Sequence, residues 1–339
     1  MSYSGSRDDQ GNNQSNITDQ EGPTIHGPFP YISLMFKLTS TLIIILMASL
    51  VCVTIKKTKR LHRPHNILVA NVMIADIMLA LWDTIPTSIA IIAYAAGKNV
   101  IHCGILNFVY HPVIVYHTTF VMISIDKVIS IAYPLKHKNI MKRAVYKMIT
   151  LSWLLAIAAP FYTLFITKGG TEVAEYGVCI FTGTEFIIII LPYVIAILLE
   201  ALITTMLNIY MAIRAYQFHR EIQKRTRLAA VTNQVEDLKH KLRTIKKQMK
   251  PIQTLFVIFI AHSFLSIIFI GTHIPRRSLR NSVYYEIVDD LITPNIVFIS
   301  TLFHPIVYGI YFKEIRQPLM KIILNCYNRC KQNTAVVTP

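Results

Sequence analysis

Seven apolar runs punctuate the chain, near residues 33–55, 66–92, 104–133, 146–167, 185–213, 252–274 and 287–311. About 20 helical residues cross the ~30 Å hydrocarbon core of a bilayer. Inside that core each backbone N–H and C=O needs a partner within the protein, so runs of this length can only be helices. The expected fold is an all-α membrane protein, a seven-transmembrane helix bundle.

The segments between the runs alternate in charge. The first holds Lys56, Lys57, Lys59, Arg60 and Arg63 without an acid, and the second holds only Lys98. The third holds Lys136, Lys138, Lys142, Arg143 and Lys147, again without an acid; the fourth has Lys168, Glu172 and Glu175. The fifth, residues 214–250, has eleven Lys/Arg against three acids. Basic loops stay cytoplasmic, which puts the N-terminus outside and, after seven crossings, the C-terminus inside. Arg276, Arg277 and Arg280 in the last outer loop run against this rule, beside Glu286, Asp289 and Asp290. The net charge of +16 would suggest nucleic acid in a soluble protein. With 53% hydrophobic and 15% charged residues, against about 25% charged in soluble domains, it is a topological signal, and no nucleic-acid partner is expected.

Residues 1–30 are polar and form an expected disordered extracellular tail. No apolar segment precedes residue 31, so the first spanning helix is expected to direct insertion. The tail carries two glycosylation sequons, at Asn13 and Asn16. Residues 31–311 form the helical domain. Residues 312–325 read as a short amphipathic helix on the inner membrane surface, with Ile315, Leu319, Ile322 and Ile323 between Lys and Arg. Residues 326–339 form a cytoplasmic tail, where Cys326 and Cys330 are open to palmitoylation or to remaining free thiols. In the long fifth loop, Leu228, Val231, Val235, Leu238 and Leu242 recur at helical spacing, so helices five and six are expected to project into the cytoplasm as amphipathic rods. The five cysteines have no metal-ligand spacing, and no cofactor or metal is expected.

Three charged residues stand out. Asp76 sits mid-way along the second run, where an ionisable group is expensive and marks a functional site by default. Asp126 and Lys127 close the third run and are followed by Tyr133, Pro134 and Leu135. This acid–base pair with a downstream proline and leucine resembles the inner end of helix three in rhodopsin-like G-protein-coupled receptors. Lysine stands where the family usually has arginine, and Val128 where it has tyrosine. Asn71 to Asp76 resembles the family's helix-two signature, and Trp153 with Pro160 that of helix four. His304-Pro305-Ile306-Val307-Tyr308 is similar to Asn-Pro-x-x-Tyr, with histidine for asparagine. Ser49 stands at the position of the helix-one asparagine. Leu202 replaces the mid-helix proline of helix five, with Pro192 further out, and helix six lacks Cys-Trp-x-Pro. The resemblance covers roughly residues 31–325.

The resemblance implies a disulfide between Cys103 and Cys179, an activation switch built from Asp76, Asp126, Lys127, Tyr210, His304, Pro305 and Tyr308, and a heterotrimeric G protein as partner at the inner face. His304 could pair directly with Asp76, and Lys127 with Asp126. An amine pocket would need an acid at Val109, and a retinal Schiff base a lysine at Phe298, so neither is expected. Asp83, Tyr110, His111 and Glu200 are candidate contacts for an unknown extracellular ligand, with Tyr116 and His117 nearby on the third run. Two readings compete with a signalling receptor at the plasma membrane. One is a seven-helix transporter or ion conductor using Asp76, Glu200 and histidines as a proton path, although no inverted repeat is visible. The other is a scavenger or heterodimer partner that signals weakly because of Lys127. No nucleophile–base spacing or phosphate loop points to an enzyme.

Overall fold

The computed structural model describes residues 29–95, 111–133, 135–167, 184–229 and 293–337, with residues 260, 264, 265 and 268. Among the described residues, seven α-helices and one 3-10 turn follow in order. They are α1 (Phe29–Lys57), the turn Lys59–Leu61, α2 (Pro64–Ala95), α3 (His111–Ala132), α4 (His137–Thr167), α5 (Thr184–Ala229), α6 (Thr293–Tyr311) and α7 (Lys313–Val337). The apolar run 252–274 lies outside the described residues save for those single positions, so α6 is the helix of the seventh run. Asn13, Asn16, Cys103, Val109, Tyr110, Pro134 and Cys179 also lie outside.

By length and composition, four stretches can cross a bilayer: Tyr31–Lys57, Pro64–Ile89, Pro112–Ala132 and Ile195–Arg214; Phe298–Tyr311 is a shorter apolar helix. Their outward faces present Leu42, Leu46, Ile85, Leu198, Leu199 and Met206, as bilayer-facing helices must. The inward faces interlock as a core of Ala48, Val51, Leu68, Val72, Met73, Val115, Ile123, Val307 and Tyr308. α3 is the central strut and packs on α2, α4 and α5, while α1 packs on α2 and α6. Hydroxyls are tolerated in these helices because they bond back one turn, as Thr54 does to the Leu50 carbonyl at 2.7 Å and Thr118 to that of Ile114 at 2.8 Å.

One side-chain network ties three helices together. Asn71 Nδ2 donates to Thr119 Oγ1 at 2.8 Å, and Trp153 Nε1 donates to Asn71 Oδ1 at 2.9 Å. Interhelical bonds of this kind contribute only about 0.6 kcal/mol each. Their larger effect is to set the register of α2, α3 and α4, which fixes Asp76 and Asp126 relative to their partners.

Helix ends differ from the hydropathic boundaries. α4 begins at His137, nine residues before the expected apolar run, and α7 continues to Val337, past residue 325. α5 continues to Ala229, in keeping with the expected cytoplasmic rod. A helix leaving the bilayer needs no apolar residues to persist, and the Lys-, Arg- and Met-bearing turns of residues 137–147 contain neither Pro nor Gly. The α1–α2 turn is closed by Leu61 N–H donating to the Thr58 carbonyl at 2.8 Å and by Asn66 Nδ2 donating to the Leu61 carbonyl at 3.0 Å. Pro64 then opens α2, where its missing N–H costs nothing.

Candidate functional site

At mid-bundle, Asp76 of α2 is fully buried, and so, within a per cent, is His304 of α6. His304 Nδ1 lies 3.1 Å from Asp76 Oδ1, the pairing the helix-seven pattern allows. The Asp76 Oδ2 atom and the Tyr308 hydroxyl are buried without a hydrogen-bond partner among the described residues. Pro305 follows His304 directly and removes one donor from the helix ladder, which leaves this part of α6 easier to bend. Two α3 rings face His304: Phe120 edge-on at 5.0 Å between centroids, and Tyr116 at 5.8 Å. Ser49, in contrast, has no hydrogen bond to Asp76.

The next layer is carried by α3 and α5. Tyr116 stacks on His117 at 4.4 Å between centroids, and His117 Nδ1 contacts Glu200 Oε2 of α5. Both members of the pair are buried. Glu200 Oε1 and, one turn on, Thr204 Oγ1 have no hydrogen-bond partner among the described residues. A line of polar and aromatic groups therefore runs Asp76–His304–Tyr116–His117–Glu200, from α2 through α6 and α3 to α5. Breaking a buried pair of this kind by removing one member costs about 3–5 kcal/mol, so the line is a strong constraint on how these four helices sit.

Asp83 does not join Glu200. Its partner is Lys37 of α1, with Nζ 2.9 Å from Oδ2; the two side chains are 6% and 22% exposed. Lys37 Nζ also lies 5.6 Å from the ring centroid of Phe298, the position where a retinal lysine would stand. Above and below this pair, Asn295 donates to Ser33 Oγ at 3.0 Å, and Thr41 and Thr84 share a hydrogen bond of 2.7 Å. Ser33, Lys37 and Thr41 thus form a polar stripe at four-residue spacing along the N-terminal half of α1, which continues toward its C-terminus as the apolar stripe Ile44, Ala48, Val51 and Ile55. Sequence reasoning missed Lys37. Its signal was available, since Lys37 is the one charged residue in residues 33–55.

Near the C-terminal end of α3, Asp126 is 1% exposed and its two oxygens face histidines. His137 Nε2 lies 2.8 Å from Oδ1 and His65 Nδ1 lies 3.6 Å from Oδ2. Lys127 makes no ion pair with Asp126, which corrects the pairing expected from their adjacency. Neighbours on a helix point about 100° apart, and the Asp126 side is already filled by α2 and α4. The Tyr210 hydroxyl of α5 accepts from Arg214 Nε at 3.2 Å, and Tyr210 is 38% exposed. His111 begins α3; Cys326 is free and exposed on α7, which also carries Cys330. Among the described residues, no group of three His, Cys, Asp or Glu side chains is placed to hold a metal.

Comparisons with known proteins agree with this architecture. A profile of the family described as "7 transmembrane receptor (rhodopsin family)" matches residues 47–308. The human protein "Probable G-protein coupled receptor 148" is 26% identical over 125 residues, 36% of this chain and 35% of that one. The match therefore spans about a third of that relative's length. The crystal structure of squid rhodopsin superposes with a TM-score of 0.70 over 88% of this chain and 87% of that one, at 17% identity, which is a likeness of fold.

Proposed function

The chain belongs to the rhodopsin family of seven-transmembrane receptors, and on that premise we propose that it binds an extracellular ligand in the outer half of the bundle and activates a heterotrimeric G protein at the inner face. It is a multi-pass membrane receptor; the finer reading places it in the plasma membrane with the N-terminus outside and the C-terminus inside. The observation that carries the reading is the buried line from Glu200 to Asp76. A ligand that binds better to one arrangement of the outer helices shifts the population of that arrangement. The His117–Glu200 pair would feel the shift first, and Tyr116, His304, Pro305 and Tyr308 lie along the way to the inner face. Asp83, Tyr110, His111 and Glu200 are the proposed ligand contacts. At the inner face, Asp126, Lys127 and Tyr210 complete the proposed switch.

Lys127 decides how strongly the inner face couples. Arginine would present a planar fork of five donors and stay charged, whereas lysine offers one compact ammonium that desolvates less readily. The test is nucleotide exchange on a panel of Gα classes, driven by a library of amines, carboxylates and peptides, for the wild type, Lys127→Arg and Lys127→Ala at matched surface expression. Lys127→Arg is expected to raise exchange severalfold and Lys127→Ala to abolish it. Equal exchange in all three would reduce Lys127 to an anchor in the headgroups. No exchange with any ligand and any Gα would reject coupling itself.

The extracellular side is proposed to be tied by a Cys103–Cys179 disulfide, the tail glycosylated at Asn13 or Asn16, and the inner-surface helix acylated at Cys326 or Cys330. Peptide mass mapping without reduction is expected to yield one species joining Cys103 to Cys179. Both thiols free would reject the bridge. Unmodified Asn13 and Asn16, or Cys326 and Cys330, in protein from eukaryotic membranes would reject the other two.

A further inference from the structure

We propose that His137, seconded by His65, holds Asp126 and so positions the inner end of α3, the task that adjacency would assign to Lys127. Three helices meet at this carboxylate: His65 is the second residue of α2, Asp126 lies in the last two turns of α3, and His137 is the first residue of α4. Asp126 has almost no contact with solvent, so its oxygens need donors from the protein. A carboxylate only accepts, so Nε2–H of His137 donates to Oδ1 across 2.8 Å. His65 Nδ1 approaches the second oxygen at 3.6 Å, beyond hydrogen-bond range, and its ring closes off that side of the carboxylate.

The backbone explains why His137 can reach back eleven residues. Tyr133 N–H donates to the Ile129 carbonyl at 2.8 Å, and His137 N–H donates to the Tyr133 carbonyl at 2.8 Å. Only residues 133–136 separate α3 from α4, and the first side chain of α4 falls over the one acid of α3. His65 is steadied from the other side, with Phe312, between α6 and α7, at 5.9 Å between ring centroids. Lys127 has no such setting. Its carbonyl accepts from Ser130 Oγ at 2.7 Å, while its ammonium makes no ion pair among the described residues. The acid and the base of this stretch are therefore divided in labour: Asp126 belongs to a joint between α2, α3 and α4, and Lys127 is left for a partner. The clamp rests on geometry; its consequence at a G protein rests on the receptor reading above.

The test uses the full chain in lipid nanodiscs and hydrogen–deuterium exchange of the amides in residues 124–140. His137→Ala is expected to speed exchange there about tenfold or more, the size expected from losing a hydrogen bond to a charged group. His137→Gln, whose amide can supply an equivalent donor, is expected to restore protection. Lys127→Ala is expected to match the wild type. If His137→Ala does not accumulate, His65→Ala is the milder variant, with a smaller rise in the same segment. Wild-type exchange in His137→Ala, or in His65→Ala where that variant is used, overturns the proposal. So does a Lys127→Ala variant that loosens the segment as much as the histidine variant. In the Gα panel, His137→Ala is expected to raise ligand-independent exchange severalfold and His137→Gln to return it to the wild-type rate. If the wild type couples and His137→Ala couples identically, the positioning role is lost. If no variant couples, the wild type included, the receptor reading fails and hydrogen exchange alone decides the clamp.

Discussion

Replacing His304 with alanine is expected to lower the stability of the protein by about 3–5 kcal/mol, the range for removing one member of a buried ion pair. Asp76 is fully enclosed and its Oδ2 has no hydrogen bond among the described residues, so removing the imidazole takes away the carboxylate's one described partner. The measurement is thermal unfolding in detergent, with surface expression as the cellular readout; a large drop in both is expected. Asp76→Asn should cost less, because an amide of nearly the same shape remains to face the imidazole. The double variant Asp76→Asn/His304→Asn, which puts two neutral amides at a 3.1 Å contact, is expected to recover most of the loss. A His304→Ala protein as stable as the wild type would show that the contact contributes nothing, and the proposed transmission line would lose its inner anchor.

The second large effect is expected at Lys37. Lys37→Met leaves Asp83 without its cation, but Asp83 retains 22% side-chain exposure and can recruit some water. The expected loss is therefore smaller than at His304, about 1–3 kcal/mol. Asp83→Leu strands the lysine, only 6% exposed and stacked over Phe298, and is expected to be the worse of the two single variants. The double variant Lys37→Met/Asp83→Leu replaces a buried pair with apolar groups and is expected to return close to wild-type stability. Single losses that simply add in the double variant would mean that the two side chains do not act together. The same series reads ligand binding. If Asp83 contacts ligand as proposed, the double variant should be stable yet respond weakly, which separates its two roles.

Much of the inner machinery was visible as individual residues but not as pairs. Asp76 and His304 were legible because a carboxylate at that depth demands a partner, and the helix-seven pattern puts one imidazole in the right register. Asp126 was equally visible, yet adjacency suggested the wrong partner. The donor that reaches it comes from eleven residues ahead, and the second histidine beside it from sixty-one behind. Such a partnership depends on how α4 follows α3 and on the packing of α2 against α3, neither of which has a local signature. Glu200 and Asp83 both read as outer polar groups. That one belongs to His117 and the other to Lys37 follows from which neighbour each helix faces.

The sequence by itself determined the class of structure. Apolar runs of bilayer length permit only helices, loop charge sets an expected orientation, and isolated ionisable residues inside the runs mark where structure must compensate. These are properties of a residue and its near neighbours in a known solvent, so they survive without a fold. Only the tertiary structure decided the partners: Asp126 with two histidines, Asp83 with Lys37, Glu200 with His117, and Tyr210 with Arg214. The physical reason is geometric. The 3.6-residue period assigns a side chain to a face, but helix rotation, tilt and axial offset, set by packing such as the Asn71–Thr119–Trp153 network, determine which facing side chain comes within 3 Å.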